Sequence, residues 1–376
     1  MKIIDKYTIK PQHTQKKHKK RHFLIILTSF YTISYSNCCK FLLILQGFII
    51  FDMSTIQSIQ QSIAPELEML NNRISTTLAS PNALMNQIIE GYLKSKGKQI
   101  RPIIVILSAK LLGEVNESVI AAATSVELLH NATLIHDDVV DDTKLRRGLP
   151  TINNIWDNHI AVLIGDFFLS SALMQAVDTD NIKIIKSITN LGKLLSIGEI
   201  DQIYNARFHT LNEDAYFETI YRKTASLFVS CVEVGAYAVG ASDQDTKKLA
   251  QVARLLGLCF QIKDDIFDYF DDEKIGKPTG NDLREGKITL PLIHVLLNDT
   301  LPQHEEMLAL SKKEVLDTDE INSLIAYAKQ HGGIEYAYDT MQRLRNEAIE
   351  ILAQLPDSEA RQHFVTIIDY IISRDK

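Results

Sequence analysis

The sequence predicts an all-α fold, and three observations lead there. Glycine (16) and proline (9) are scarce, roughly 4% and 2% of 376 residues, against average usage of about 7% and 5%. Apolar residues recur at three- and four-residue spacing through most of the chain. Strand-like alternation bounded by Asn-Gly or Asp-Gly turns is absent. With 45% apolar and 23% charged residues, the chain reads as a helix-rich globular protein. Collagen-like, disordered and disulfide-framework classes fall away, since four cysteines cannot staple a chain this long.

The helical periods run, in order, over 84–93, 102–112, 119–136, 160–176, 182–200, 249–267 and 288–297. Gly97, Gly113, Gly148-Leu149-Pro150, Gly240, Gly276 to Gly280 and Gly332-Gly333 punctuate them. The stretch 160–171 is apolar nearly all round, which predicts a central helix wrapped by others. From Met53 onward no flexible linker, long charge run or internal repeat divides the chain. One domain is expected over 53–376.

Residues 1–52 read differently. They hold nine Lys/Arg against two Asp, a net of +7, and no Ala, Val or Glu; the remainder carries 31 against 45, a net of −14. Lys16 to Arg21 followed by 23–35 resembles a signal peptide, but no Ala-x-Ala-like cleavage site follows. A single membrane anchor over 23–51 is the second reading, though Ser34, Ser36, Asn37 and Lys40 interrupt it. The third, which we favour, starts translation at Met53 and leaves 1–52 outside the fold. The overall charge of −7 argues against a basic nucleic-acid binder.

The chemistry sits at the ends of two helical segments. Asp137, Asp138 and Asp141 stand at i, i+1 and i+4, and Asp264, Asp265 and Asp268 repeat that spacing 127 residues later. The i, i+4 pairs place like charges on one face, which destabilises a helix. Acids at a helix C-terminus are also opposed by its dipole. A hard divalent cation offsets both costs, and Mg²⁺ typically takes one or two carboxylates plus phosphate oxygens. A single such cluster is as easily a solvated loop end; two, each ending an apolar helix, are not. A glycosidase needs one acid and one base rather than two triplets.

Cations complete the pattern. Lys98 and Arg101 lie in Gly97–Pro102, Arg146-Arg147-Gly148 follows the first acidic triplet, and Lys223-Thr224 lies between the two. Lys277, in Gly276 to Asp282, follows the second. Singly each is a surface charge; together they suit two diphosphates, bound by guanidinium forks and ammonium groups. No Walker-type phosphate loop is present.

These five blocks, in this order across roughly 85–295, resemble the trans-polyprenyl diphosphate synthases, and most closely the bacterial octaprenyl type. The resemblance implies an isoprenoid synthase bundle with both acidic helices facing a central cavity. It implies that Asp137, Asp138, Asp141, Asp264, Asp265 and Asp268 bind Mg²⁺. It further assigns Lys98, Arg101, His130 and Arg147 to isopentenyl diphosphate. Arg146, Lys223, Thr224, Gln261 and Lys277 fall to an allylic diphosphate, farnesyl diphosphate being the expected primer. A homodimer, a cytoplasmic location, transient membrane contact at product release and a quinone side chain as destination are expected on the same ground. His130, taken alone, is as readily a core histidine.

The charges suggest the reaction: the leaving diphosphate is stabilised, the allylic C–O bond ionises, the homoallylic double bond attacks, and a proton is lost. No side-chain nucleophile is required, and Cys231 and Cys259 lie in apolar segments. Ala132 and Thr133, five and four residues before Asp137, are small, so no aromatic plug stops the product near fifteen carbons. A helical turn of about 5.4 Å matches roughly one prenyl unit, and Leu129, Leu128 and Ser125 lie further back. The alternatives are a terpene cyclase, a short-chain farnesyl or geranylgeranyl synthase, and a non-catalytic subunit of a heteromeric synthase.

Overall fold

In the computed structural model, residues 56–94, 97–270 and 279–374 are described. The expectations for 1–52 and for Lys277 fall outside them. After a helical stretch over 56–62, the chain forms α1 (Ala64–Thr77), α2 (Ala83–Leu93), α3 (Ile100–Leu112) and α4 (Glu117–Val140). A hairpin of β1 (Leu145–Arg146) and β2 (Leu149–Pro150) follows, paired Arg146 to Leu149. Then come α5 (Asn158–Val177), α6 (Ile182–Arg207), α7 (Glu213–Ile220), a π-helical turn Tyr221–Ala225, α8 (Ser226–Ala238) and α9 (Asp243–Phe267). The chain ends with α10 (Leu290–Leu296), α11 (His304–Leu310), α12 (Thr318–Gln330), α13 (Gly333–Leu352) and α14 (Glu359–Ser373).

Short polar side chains start most of these helices. Asn82, Asn116, Asp157, Asn181, Asn212, Ser242 and Ser358 each accept a backbone N–H of the first turn. Each such cap contributes about 1 kcal/mol by satisfying an orphan donor. Asp317 and Glu320 form a reciprocal capping box on α12. The expected helices are all present, but α4 runs four residues past its expected end at 136 and α6 seven past 200. Polar tails at both ends hid the continuation, because an amphipathic turn facing a polar cavity has no apolar period to read.

The bundle packs α4 along α5, α8 against α3 and α9, and α9 against α13. Phe168, Phe228 and Phe364 are among its largest fully buried side chains; truncating one to alanine costs about 3–5 kcal/mol. A smaller apolar cluster gathers Leu292, Met307, Leu324 and Ile325 around α10 to α12. By length and composition α4 and α5 are each apolar enough to cross a membrane, yet α4 is mostly buried inside the bundle. The expectation of a fully wrapped helix over 160–171 is corrected. One side of α5 stands open, with Leu163, Met174 and Val177 at 63%, 59% and 52% exposure. Apolar periodicity reports that a face wants cover, not whether this chain supplies it.

Candidate active site

The first triplet ends α4. Asp137 and Asp138 lie in its last turn and Asp141 is the residue that closes it. Asp138 is buried, and its Oδ1 accepts both Nε (2.9 Å) and Nη2 (2.8 Å) of Arg146. The side chain of Asn153 donates to its backbone carbonyl at 3.0 Å. Arg146 returns to α4 because Arg147 and Gly148 turn the hairpin, both with positive φ (52° and 75°), the signature of a two-residue type I′ loop. The two arginines therefore part. Arg146 holds the triplet, while the Arg147 guanidinium lies against Gly97, where an added Cβ would sit 2.7 Å from Nη2.

Among the described residues Asp137 has no such hydrogen-bonded anchor. Burial and the neighbouring Glu199 and Asp141 push its carboxyl up to about 6, against the pull of Lys223 and Arg146. Burial also raises Asp141, opposed by Lys287 and Lys223.

Lys223 and Thr224 sit on the π-helical turn, an irregularity often found at functional sites. Glycines on both sides make room for it. A Cβ on Gly198 of α6 would lie 2.6 Å from the Lys223 backbone nitrogen, and one on Gly257 of α9 would lie 2.5 Å from Ala225 Cα. Lys223 Nζ thereby reaches Glu199 Oε2 (2.6 Å) and Gln202 Oε1 (3.1 Å). Thr224 Oγ1 donates to Gln261 Oε1 (2.7 Å), and Gln261 Nε2 donates to Asp265 Oδ1 (2.8 Å).

The second triplet ends α9 and divides its labour. Asp265 accepts from Gln261 on one oxygen and from Tyr216 OH on the other (2.6 Å); burial still pushes it up to about 6. Asp268 accepts the backbone N–H groups of Asn281 and Asp282, both at 3.0 Å, and so fixes the returning loop. Asp264 pairs with Arg374. That loop delivers two groups absent from the expectations. Half-buried Asp282 is pushed up to about 8, by desolvation first and then by Asp265 and Asp268. Lys287 lies in the field of both Asp282 and, from the first triplet, Asp141. Lys223, Thr224, Gln261, Asp265, Asp282 and Lys287 share the walls of one cavity.

A second cavity, about 610 Å³, is lined by Lys98, Arg101, Glu127, His130, Arg147 and the start of α3. Arg101 Nε is buried without a hydrogen-bond partner. Burial, then Arg101, Arg147 and Arg146, hold His130 well below its ordinary value. Gln99 begins α3 in the left-handed region (φ 52°) without a side-chain cap, leaving the first-turn N–H groups of that helix uncapped. This is an anion pocket.

The structure thus brings Lys98, Arg101, His130 and Arg147 together in one place. Lys223, Thr224 and Gln261 line the other with Asp265, while Arg146 stands on Asp138 of the first triplet. Ala132 is buried, and Thr133 is half-buried with its hydroxyl donating to the His130 carbonyl (2.9 Å). Glu199, Tyr216, Asp282 and Lys287 escaped sequence reasoning. Asp282 closes the Gly276 to Asp282 block and Lys287 the Glu285-Gly286-Lys287 run after it, whereas Glu199 and Tyr216 had no local cue.

Among the described residues no three His, Cys, Asp or Glu side chains form a closed metal cage. The donors nevertheless fit a hard cation. Asp137 is a half-buried acid crowded by Glu199 and Asp141, costly without positive charge, and a cation that completes its shell with phosphate oxygens needs no cage.

Residues 82–328 match the family model described as polyprenyl synthetase. The octaprenyl diphosphate synthase of Haemophilus influenzae is 32% identical over 329 residues, covering 86% of this chain and 98% of that protein. A polyprenyl synthase from Caulobacter crescentus, solved with calcium and isoprenyl diphosphate, superposes with a TM-score of 0.77 at 30% identity, over 85% of this chain and 98% of that one. A geranylgeranyl pyrophosphate synthase from Bacteroides thetaiotaomicron gives 0.73 at 38% identity, over 85% and 100%. The chain belongs to the polyprenyl synthetase family, and it is a prenyltransferase built on the helical isoprenoid synthase fold.

Proposed function

We propose that this enzyme is a long-chain all-trans polyprenyl diphosphate synthase. It adds isopentenyl diphosphate head-to-tail to an allylic diphosphate such as farnesyl diphosphate, with Mg²⁺ and an octaprenyl product. One observation carries the reading: the two anion pockets differ in kind. The pocket of Lys98, Arg101, His130 and Arg147 is cationic, with Glu127 as its one acid, and suits a diphosphate that stays on its substrate. The other, flanked by Asp137, Asp141 and Asp264, suits a diphosphate that leaves as its charge builds.

Asp137 and Asp141 would hold the metal, joined by Asp264 once Arg374 yields it; Asp265 and Asp268 engage both oxygens, on Tyr216 and Gln261 and on backbone N–H groups, and Asp138 gives one to Arg146. Bound Mg²⁺ supplies Lewis-acid stabilisation of the leaving diphosphate. Arg146, Lys223 and Lys287 add N–H donors that need no reorganisation. The positions of Lys98, Arg101 and Arg147 hold the homoallylic partner by its diphosphate, so its double bond can attack the allylic carbon as the C–O bond breaks. The proton then lost goes to the departing diphosphate. Cys231 and Cys259 take no part; burial pushes both thiols up to about 12.

The product length rests on the small Ala132 and Thr133 and on the octaprenyl relatives. The similarity to a geranylgeranyl synthase favours a second, shorter-chain reading. A homodimer through the open apolar side of α5 is part of the proposal, as are a cytoplasmic location and transient contact with a bilayer that receives the product. Vesicle pull-down with and without product checks that contact, and absence of binding in both removes it. Incubating the full chain, and the chain begun at Met53, with Mg²⁺, labelled isopentenyl diphosphate and farnesyl diphosphate decides the rest. A discrete forty-carbon alcohol after dephosphorylation is expected. A twenty-carbon product gives the shorter reading, and label left in isopentenyl diphosphate, with the protein folded, overturns both.

A further inference from the structure

The C-terminal end of α14 reaches both the cationic pocket and the second acidic triplet. Tyr370 OH accepts a 2.6 Å hydrogen bond from Lys98 Nζ, which also lies 5.4 Å from the centroid of the same ring. Gln60, on the helical stretch over 56–62, donates to the Lys98 carbonyl at 3.1 Å. Four residues on, Arg374 pairs with Asp264 and donates to the Phe260 carbonyl (3.2 Å). Its guanidinium sits 4.2 Å from the Phe260 ring centroid and 5.5 Å from that of Phe267. The side chain is only 11% exposed, and its Nε is buried without a hydrogen-bond partner. The helix is fixed for this task, packing on both α3, which opens the cationic pocket, and α9, which carries Asp264.

We propose that Tyr370 and Arg374 form a latch joining the cationic pocket to the second acidic triplet. Arg374 is the counter-cation of Asp264 before metal and diphosphate load, and Tyr370 is a positioning residue for Lys98. The argument is one of charge and geometry. Asp264 adjoins Asp265 and lies one turn from Asp268, so without metal a nearby cation is needed to hold the cluster together. A planar guanidinium stacked on two rings supplies that charge at small entropic cost. It must yield the carboxylate when a metal binds, so the metal competes with it. Tyr370 takes one ammonium proton of Lys98 and leaves the other two aimed at the diphosphate. Losing that hydroxyl frees a long side chain to wander.

The inference rests on the proposed metal role of Asp264, and the test separates the two. Mn²⁺ binding to the full chain is titrated at saturating inorganic diphosphate, with the free ion counted by electron paramagnetic resonance and Asp264→Asn defining the second-triplet site. Arg374→Gln is expected to tighten the Asp264-dependent Mn²⁺ five- to tenfold, with Arg374→Lys within twofold of the parent. Tyr370→Phe is expected to raise KM for isopentenyl diphosphate about fivefold, leaving kcat and the allylic KM within twofold. If Arg374→Gln proves unstable, Arg374→Met, which keeps the apolar stem on the rings, replaces it. Unchanged Mn²⁺ affinity in the folded variant overturns the latch. If the parent shows no Asp264-dependent Mn²⁺, the metal reading fails and the latch with it.

Discussion

Arg146 grips a single oxygen of Asp138, with Nε at 2.9 Å and Nη2 at 2.8 Å. That contact separates the inner aspartate of the first triplet from its two neighbours, though all three look alike in sequence. Asp138→Asn is expected to destabilise the protein by about 1–2 kcal/mol, since it weakens a charge-assisted hydrogen bond to a partly exposed Arg146. Asp141→Asn, at a more open position, is expected to change stability by less than about 1 kcal/mol and to abolish metal-dependent turnover. Thermal melts of the metal-free proteins beside Mg²⁺ titrations of activity distinguish the two effects.

Asp137 predicts a pH signature. Its carboxyl is raised to about 6 in the fold, from 3.8, so between those values the unfolded chain has lost the proton and the folded chain has kept it. Metal-free stability therefore falls as pH rises from about 4 to 6, and the penalty is fully present above 6. Asp137→Asn is expected to melt close to the parent near pH 4 and above it at pH 7. A constant difference across that range removes Asp137 as the cause.

The glycines beside the π-helical turn predict a selective defect. Gly198→Ala forces a Cβ toward the Lys223 backbone nitrogen, an overpacking that costs about 1–3 kcal/mol. Because the push falls on Lys223 and Thr224, KM for the allylic substrate is expected to rise at least tenfold. KM for isopentenyl diphosphate, whose cations stand elsewhere, stays within twofold. Steady-state kinetics with each substrate varied in turn checks the split.

The two small residues before the first triplet predict different outcomes. Ser125 and His136, on the same stripe of α4 as Ala132, bond to carbonyls of Ala172 and Val162 on α5. Thr133 lies on the stripe of His130 and Asp137. Thr133→Phe is expected to shorten the product by several units while the protein stays folded. Ala132→Phe acts first on packing, lowering the melting temperature by several degrees. Chain-length profiles and melts of both variants test this, and an unshortened product from Thr133→Phe removes that residue as a ruler.

Much of this protein was legible in its sequence. Scarce glycine and proline with a 3.6-residue apolar period fixed the all-α class, because a helix satisfies its backbone locally and needs only one face covered. The two triplets and their cations were legible for a similar reason: carboxylates at i and i+4 are a local cost that asks for a counter-charge. What that counter-charge is, residue by residue, was not. Both triplets have the same spacing, yet Asp138 is taken by Arg146, Asp265 by Tyr216, Asp268 by the backbone of 281–282 and Asp264 by Arg374. Those partners arrive from 8, 49, 13–14 and 110 residues away, distances over which no periodicity carries information. The open side of α5 was hidden for a related reason, since an apolar surface reads alike whether its own chain or another covers it. Local electrostatics and helical periodicity belong to the sequence; which distant side chain spends its charge on which carboxylate is decided only when the helices pack.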